Sequence, residues 1–366
     1  LIFRKISNDT SYLFLGLCLS FGVIVWTLQA VNYLDFVTQD GHGFKTYLFY
    51  SLYNFPKIIH RLIPFVFFIA LFLILTNYEK KNQLLIFWTH GISKINFAHR
   101  ILLLSLLFFI FQIIIGGFLS PLSQLKSRMT LKESNVDYFS SLIKEGKFIN
   151  AVSELTIFIQ KKQSDGSFVN IFIDDSSKGA TKITYANNGK IIDINNKKIF
   201  KLFNGSIINK KDDKINEFKF DQINIDLSEY STNTILVPKI QETSSINLFN
   251  CSFIKNSKYE QSGLRNCDLS ISKEINEEIL KRFYKPIYIP IIAIICCFLI
   301  ILPKNSNRYQ LQLRLTFLAG FIILVFSETT LRYSSLSLSS TIIYLITPLV
   351  LFITIYTLFL TKSKNA

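Results

Sequence analysis

At 366 residues, with 49% hydrophobic residues and a mean hydropathy of +0.33, the chain is too apolar to be one soluble domain. Its formal charge of +15 would suit a nucleic-acid binder. Many of the basic residues, however, sit in short loops between apolar runs, where they act as orientation signals for membrane helices, and no nucleic-acid partner is expected.

The apolar residues fall into six runs, three on each side of a polar stretch at 121–275. A bilayer core takes about 20 mostly apolar residues per spanning helix. The runs at 12–34, 58–77 and 101–119 match that length, as do those at 286–302, 311–327 and 341–360. Arg4 and Lys5 precede the first run as they would in a signal peptide, but the run is too long and no small-residue cleavage pattern follows, so a retained helix is predicted. Prolines at 64, 290 and 348 are tolerable within spans, because neighbouring helices re-satisfy the freed backbone groups. The domain organisation expected is therefore 1–120 for three spans, 121–275 for an inserted domain and 276–366 for three more.

Between the second and third spans, the loop at 78–100 contains Gln83-Leu84-Leu85-Ile86-Phe87-Trp88-Thr89-His90-Gly91. This predicts a short amphipathic helix at about 79–93 that Gly91 stops, since glycine commonly ends helices. Two roles fit it. It is an interfacial helix anchored in lipid by Trp88, or an apolar knob that seats in a soluble motor subunit.

The insert alternates at period two: Leu155, Ile157 and Ile159, then Val169, Ile171 and Ile173, then Ile183 with Tyr185. Such alternation marks strands with one apolar face. Turns are predicted at Ser164-Asp165-Gly166, Asn187-Asn188-Gly189, Asn204-Gly205 and Lys210-Lys211-Asp212-Asp213. At 216–227, Phe218 and Phe220 share one parity while Ile223, Ile225 and Leu227 take the other, a phase slip that indicates a bulge or corner. Short strands with no helix between them indicate an all-β sandwich or jelly roll. It is either closed and binds a protein partner, or partly open with an apolar inner face that carries a lipid chain.

No catalytic or metal constellation stands out. The insert has no His, and no Cys/His spacing resembles a zinc site. Cys18, Cys296 and Cys297 fall in apolar runs as packing residues, whereas Cys251 and Cys267 fall in the insert, where an oxidising compartment would permit a disulfide.

Basic residues set the orientation. Arg4, Lys5, Lys80, Lys81, Lys94, Arg100, Lys304, Arg308, Arg314, Lys362 and Lys364 all belong to one side. The other side's short loops carry only Lys45, Lys57, Arg61 and Arg332. Both termini are therefore expected in the cytoplasm and the insert outside.

In this layout several stretches resemble the LptF/LptG family of lipopolysaccharide-export permeases, and the resemblance covers essentially the whole chain. Gly91-Ile92-Ser93-Lys94 is similar to the end of that family's coupling helix, and Ile63-Pro64 to its proline near the start of the second span. Trp26-Thr27-Leu28-Gln29-Ala30-Val31-Asn32-Tyr33-Leu34-Asp35 resembles the LptF branch of α-proteobacterial type, and Glu278-Ile279-Leu280-Lys281-Arg282-Phe283 the acid-x-x-x-Arg stretch before the fourth span. Two positions depart from the family. Gln83 stands where a Glu is usual, with Glu79 one turn earlier as a substitute, and Asn32 stands where related chains often carry a basic residue.

The resemblance implies a periplasmic β-jelly roll between the third and fourth spans of an inner-membrane permease, acting in outer-membrane biogenesis. It also implies that Glu79, Gln83, Leu84, Phe87, Trp88, Gly91 and Ser93 engage an ATPase. No G-x-x-x-x-G-K-[ST] motif occurs, so ATP and magnesium would be held by an LptB-like ATPase dimer and this chain would be no enzyme. The other partners implied are an LptG-like sister permease, an LptC-like single-span jelly-roll protein, an LptA-like periplasmic bridge, membrane lipid and lipopolysaccharide. Lipopolysaccharide would enter between the first span of one permease and the fifth of the other. A phosphorylated glycolipid calls for cations at the periplasmic rim, where Lys57, Arg61, Lys126, Arg128, Arg282 and Lys285 lie; each either meets phosphate or snorkels to headgroups. Glu328 and Arg332, one turn apart at the outer end of the fifth span, are either gate residues or a simple i,i+4 pair, and the simple pair is favoured. A lipoprotein-releasing or mechanotransmission permease would place its large domain after the first span, and a non-transporting membrane adaptor is the reading from another class.

Overall fold

The structure is a computed structural model that describes residues 2–34, 44–130, 145–152, 155–163, 166–175, 181–194, 197–211, 214–226, 239–253, 269–335 and 337–364. The chain divides into two compact units, one of Leu1–Leu28, Tyr53–Leu125 and Lys239–Ala366, the other of Gln29–Leu52 and Lys126–Pro238.

Among the described residues, six helices are long and apolar enough to cross a membrane: Phe3–Asn32, Phe44–Lys80, Lys94–Thr130, Ser272–Ile300, Tyr309–Tyr333 and Ser339–Lys364. They are the first to sixth spans. Each outruns its apolar stretch, because a helix satisfies its own backbone groups and so continues into polar flanks that hydropathy does not mark. The third span passes residue 120, where the insert was expected to begin. A 3-10 turn at Ile240–Glu242 and a helix at Ser245–Phe253 also fall within 121–275, and among the described residues the strands occupy Phe148–Asp226.

The fourth span lies at the centre of its unit. Tyr288–Cys297 is apolar on every face, with Ile289, Ile292, Ala293, Cys296 and Cys297 wholly covered, as a helix apolar all round must be. Beside it the second span buries a stripe at four-residue spacing: Ile63, Phe67, Leu71 and Leu75. Lipid tails are as apolar as leucine, so these helices are held by close packing, not by escape from water. Glycine permits that packing at Gly320, where a Cβ would overlap the ring of Phe68. The first, fifth and sixth spans instead leave apolar side chains open, including Leu15, Leu19 and Leu28, then Phe321 and Ile322, then Ile343 and Ile353. Two spans are interrupted by single π turns, at Ile115–Leu119 and Leu280–Tyr284.

The second unit contains a six-stranded antiparallel sheet: β1 Phe148–Val152, β2 Leu155–Lys162, β3 Ser167–Asp175, β4 Thr181–Ile194, β5 Lys197–Lys211 and β6 Lys214–Asp226. Strands pair strictly in sequence order. Its core is Ile157, Ile159, Phe168, Ile171, Ile173, Ala186, Phe200 and Leu202. The predicted turn before β3 is present, with Gly166 at φ 80° and Gln163 N–H donating to the Ser167 carbonyl at 2.8 Å; Ser164 and Asp165 lie outside the described residues, as do Asp212, Asp213 and the side chain of Leu155.

Two of the predicted turns are instead strand interior. Asn187-Asn188-Gly189 runs through β4, and Asn204-Gly205 through β5. The reason is a crease. The register brackets Gln160, Asn170, Asn187, Asn204 and Asp221 into one row across five strands. Asn170 and Asn204 take φ of 51° and 50°, a region that asparagine enters at least cost after glycine. Asn170 Nδ2 donates to Gln160 Oε1 at 2.6 Å. At this row the buried positions change parity, from Phe168 to Ile171 in β3 and from Ala186 to Gly189 in β4. In β6 the same slip separates Phe220 from Ile223 and Ile225, all packed on the core. The pairs Phe203↔Gln222 and Gly205↔Phe220 leave one residue on each strand between them, so the slip is a crease without an inserted residue. Its phase also corrects β4, where Thr184 and Ala186 are buried while Tyr185 is 46% exposed.

Candidate functional site

Two regions of the helical unit bring chemistry together. The first is the helix Gln83–Thr89 between the second and third spans. Its N-cap, Asn82, has φ 58°, and Gly91 has φ 74°, so both ends turn sharply through left-handed conformations. Leu84 and Phe87 are each 1% exposed and hold the helix down; Phe87 meets the rings of Phe3 at 5.3 Å and Phe97 at 5.2 Å. Trp88 is half-buried against Phe97 at 5.6 Å. Leu85 and Ile86 face outward, 58% and 48% exposed. Ser93 caps the third span by accepting Asn96 N–H at 3.1 Å.

Glu79 accepts the Lys304 backbone N–H at 2.9 Å, and Lys94 Nζ donates to the Ile301 carbonyl at 3.0 Å. Those two bonds tie the 81–93 loop to the segment joining the fourth and fifth spans. The residues named from sequence thus divide: Leu84, Phe87, Ser93 and Glu79 build the platform, and Gln83 is half-buried beside it. The outward apolar pair, Leu85 and Ile86, was not singled out, because a seven-residue apolar stretch shows no period of its own.

The second region lies at the other ends of these helices. Arg282, in the π turn Leu280–Tyr284, is 1% exposed. Its Nε donates to Glu278 at 3.0 Å, its Nη1 to the Thr243 carbonyl at 2.9 Å and to Ser245 Oγ at 3.0 Å, and its Nη2 to the Gln241 carbonyl at 2.9 Å. Ser245 Oγ donates onward to the carbonyl of Gly117, inside the π turn of the third span. Beside it, a Cβ on Gly116 would overlap the buried ring of His60 from the second span. The guanidinium is therefore fully engaged by protein, and its role is to hold three segments together.

Around this post the charges are dense. Lys281 donates to Glu278 at 2.9 Å. Lys57 lies within electrostatic reach of Arg61, Lys281, Glu242 and Glu278. Lys285 is paired with Glu328 of the fifth span, so Glu328 does not form the expected pair with Arg332; the partner came from another helix, which i,i+4 spacing does not reveal. Arg61 is exposed. Lys281 joins the cluster, although sequence reasoning did not name it; its spacing from Glu278 and Lys285 on one helical face was the available signal. Lys126 is exposed and Arg128 half-buried in the other unit. Cys251 is disulfide-bonded, Cys267 lies outside the described residues, and Cys18, Cys296 and Cys297 are free buried thiols.

Comparison with known proteins gives two findings. The chain matches the family model of the lipopolysaccharide export system permease LptF/LptG over residues 4–362. It is also similar to the uncharacterized protein RP871 of Rickettsia prowazekii (strain Madrid E), 30% identical over 188 residues, 50% of this chain. That match spans about half of the relative's length (51%).

Proposed function

The chain belongs to the lipopolysaccharide export system permease LptF/LptG family, and from that premise we propose that it is one permease of an ATP-driven exporter that lifts lipopolysaccharide from the outer leaflet of the inner membrane into a periplasmic β-conduit. The membership makes it a multi-pass protein of the inner membrane with a role in lipopolysaccharide export.

The observation that carries it is the helix Gln83–Thr89. A helix pinned by Leu84 and Phe87 that presents Leu85 and Ile86 outward has the form of a rigid apolar knob, and a chain without its own P-loop needs such a handle to receive work from a separate ATPase. Opposite it, the cations Lys57, Arg61, Lys281 and Lys285 supply what lipid A phosphates require: charge-assisted donors beside an apolar bundle. Lys126 and Arg128 remain proposed phosphate contacts, while Arg282 positions its neighbours. The uncovered apolar faces of the first and fifth spans would meet a sister permease, with substrate admitted between them. The creased sheet, with its apolar core continuous across the crease, would receive the acyl chains.

Purifying the tagged chain in mild detergent tests this reading. It predicts an ATPase and a second permease-like chain in stoichiometric amounts. Recovery of the chain without an ATPase would favour a non-transporting adaptor. A reporter fused near residue 190 should be exported, and a cytoplasmic reporter would reverse the orientation.

A further inference from the structure

A cavity in the helical unit has no part in the proposed transport. It lies between the fourth, fifth and sixth spans and has a volume of about 770 Å³. Its walls are apolar: Ile295 and Phe298 from the fourth span, Leu315 and Ala319 from the fifth, Ile355 and Leu358 from the sixth. The mouth is different in kind. Arg308, just before the fifth span, and Lys362, in the last turn of the sixth, both line it. Gln312 and Thr361 line it too, but each is already engaged: the Gln312 amide donates to the Phe298 carbonyl and Thr361 Oγ1 to the Leu358 carbonyl at 3.0 Å.

The two cations are not engaged in that way. Neither Arg308 nor Lys362 forms an ion pair among the described residues; Lys362 Nζ instead sits 5.9 Å from the ring centroid of Phe298, at the cavity wall. Both are exposed, and basic side chains at the edge of an apolar wall with no carboxylate to face favour an anion. An apolar cavity of several hundred Å³ with a few convergent polar groups at one end is the usual form of a site for a lipophilic ligand. Basic pockets between membrane helices on the cytoplasmic side take anionic lipid headgroups.

We propose that this cavity is a binding site for an anionic glycerophospholipid of the leaflet at that end of the bundle. One acyl chain lies between the fifth and sixth spans, and the phosphate sits between Arg308 and Lys362. The site is separate from the cation cluster of Lys57, Arg61, Lys281 and Lys285, which belongs to the other ends of the helices. It requires that the chain spans a bilayer but does not require that it transports lipopolysaccharide.

Native mass spectrometry of the full chain with its co-purifying subunits tests the site, with phosphatidylglycerol and phosphatidylethanolamine titrated separately. The wild type should retain phosphatidylglycerol at concentrations where phosphatidylethanolamine is lost. Arg308→Gln with Lys362→Gln should weaken phosphatidylglycerol binding by about tenfold or more and remove the preference, the size expected for two basic residues at an anionic headgroup. Ala319→Trp, an exposed position on the wall, should displace one phospholipid per complex with no change in thermal unfolding. Equal binding of the two lipids by the wild type would overturn the proposal, as would full phosphatidylglycerol affinity in the double variant. Displacement of the lipid by lipopolysaccharide at equal concentration would reassign the site to the substrate. Disulfide cross-linking of Leu315→Cys to a cysteine placed on a helix of a co-purifying subunit would overturn the proposal, because protein would then fill the groove.

Discussion

Arg282 Nη1 donates to Ser245 Oγ at 3.0 Å, and that hydroxyl donates in turn to the Gly117 carbonyl, so one side chain joins the fourth span, the segment at 239–253 and the third span. Both spans are in π turns at that point. A π turn frees backbone carbonyls from the regular ladder, and here one of them, Gly117, is taken by the serine. The arrangement ties the segment at 239–253 to the third and fourth spans within the helical unit.

Replacing Arg282 with Ala should therefore cost about 3–5 kcal/mol, because Glu278 loses its buried partner and three carbonyls or hydroxyls lose a donor. Thermal unfolding of the purified protein reads this. Arg282→Lys should recover less than half, since an ammonium cannot reproduce the fork. An unchanged melting temperature with weakened lipopolysaccharide binding would make Arg282 a ligand contact after all.

The end helix separates anchoring from docking. Leu85→Asp with Ile86→Asp should abolish recovery of the ATPase in a pull-down while leaving the permease's own melting temperature within about 1 °C, since surface changes away from the core are usually near neutral. Phe87→Ala should do the reverse in the first instance, destabilising by about 3–5 kcal/mol as a large buried ring is lost. Loss of the ATPase from both variants with equal unfolding would remove the distinction.

Lys285 and Glu328 bridge the fourth and fifth spans, and Glu328 is about half exposed. A double-mutant cycle with Lys285→Gln and Glu328→Gln should give a coupling of about 0.5–1 kcal/mol, no more, because solvent screens the open partner. Lys57→Gln, which leaves the Glu278 pairs in place, should instead lower lipopolysaccharide-stimulated ATPase activity of the assembled complex at least several-fold, with little change in melting temperature. Equal stimulation would remove the cluster from the substrate path.

At the crease, Asn204→Val should destabilise the sheet by about 1–3 kcal/mol, because a β-branched residue resists φ near 50°. Asn204→Gly should be close to neutral. Limited proteolysis of the two variants, compared with wild type, distinguishes this from a simple loss of asparagine hydrogen bonds, which both substitutions share.

The large-scale organisation was legible because hydropathy and period-two alternation are local signals, and both the six spans and the sheet obey them. Span lengths were underread, since the helical flanks at Ile2–Asn32 and Phe44–Lys80 carry polar residues that hydropathy discounts. Asn204-Gly205 was misplaced as a hairpin for a physical reason. A tight turn and a crease demand the same left-handed backbone, and only the neighbouring strand tells them apart. The Glu278–Arg282 pair could be read from helical spacing, but its extension to Ser245 and Gly117 joins residues far apart in sequence. The same holds for Lys285 with Glu328, and for the choice of Leu84 and Phe87 as the anchored face, which Phe3 and Phe97 decide.

As one permease of an exporting complex, this chain would move lipopolysaccharide out of the membrane. The direct measurement is release of lipopolysaccharide from proteoliposomes that contain the purified complex to an added β-jelly-roll acceptor. Release should require ATP and be lost in the Leu85→Asp, Ile86→Asp variant. Release that proceeds without ATP, or no release from a complex that hydrolyses it, would rule out ATP-driven export by this chain.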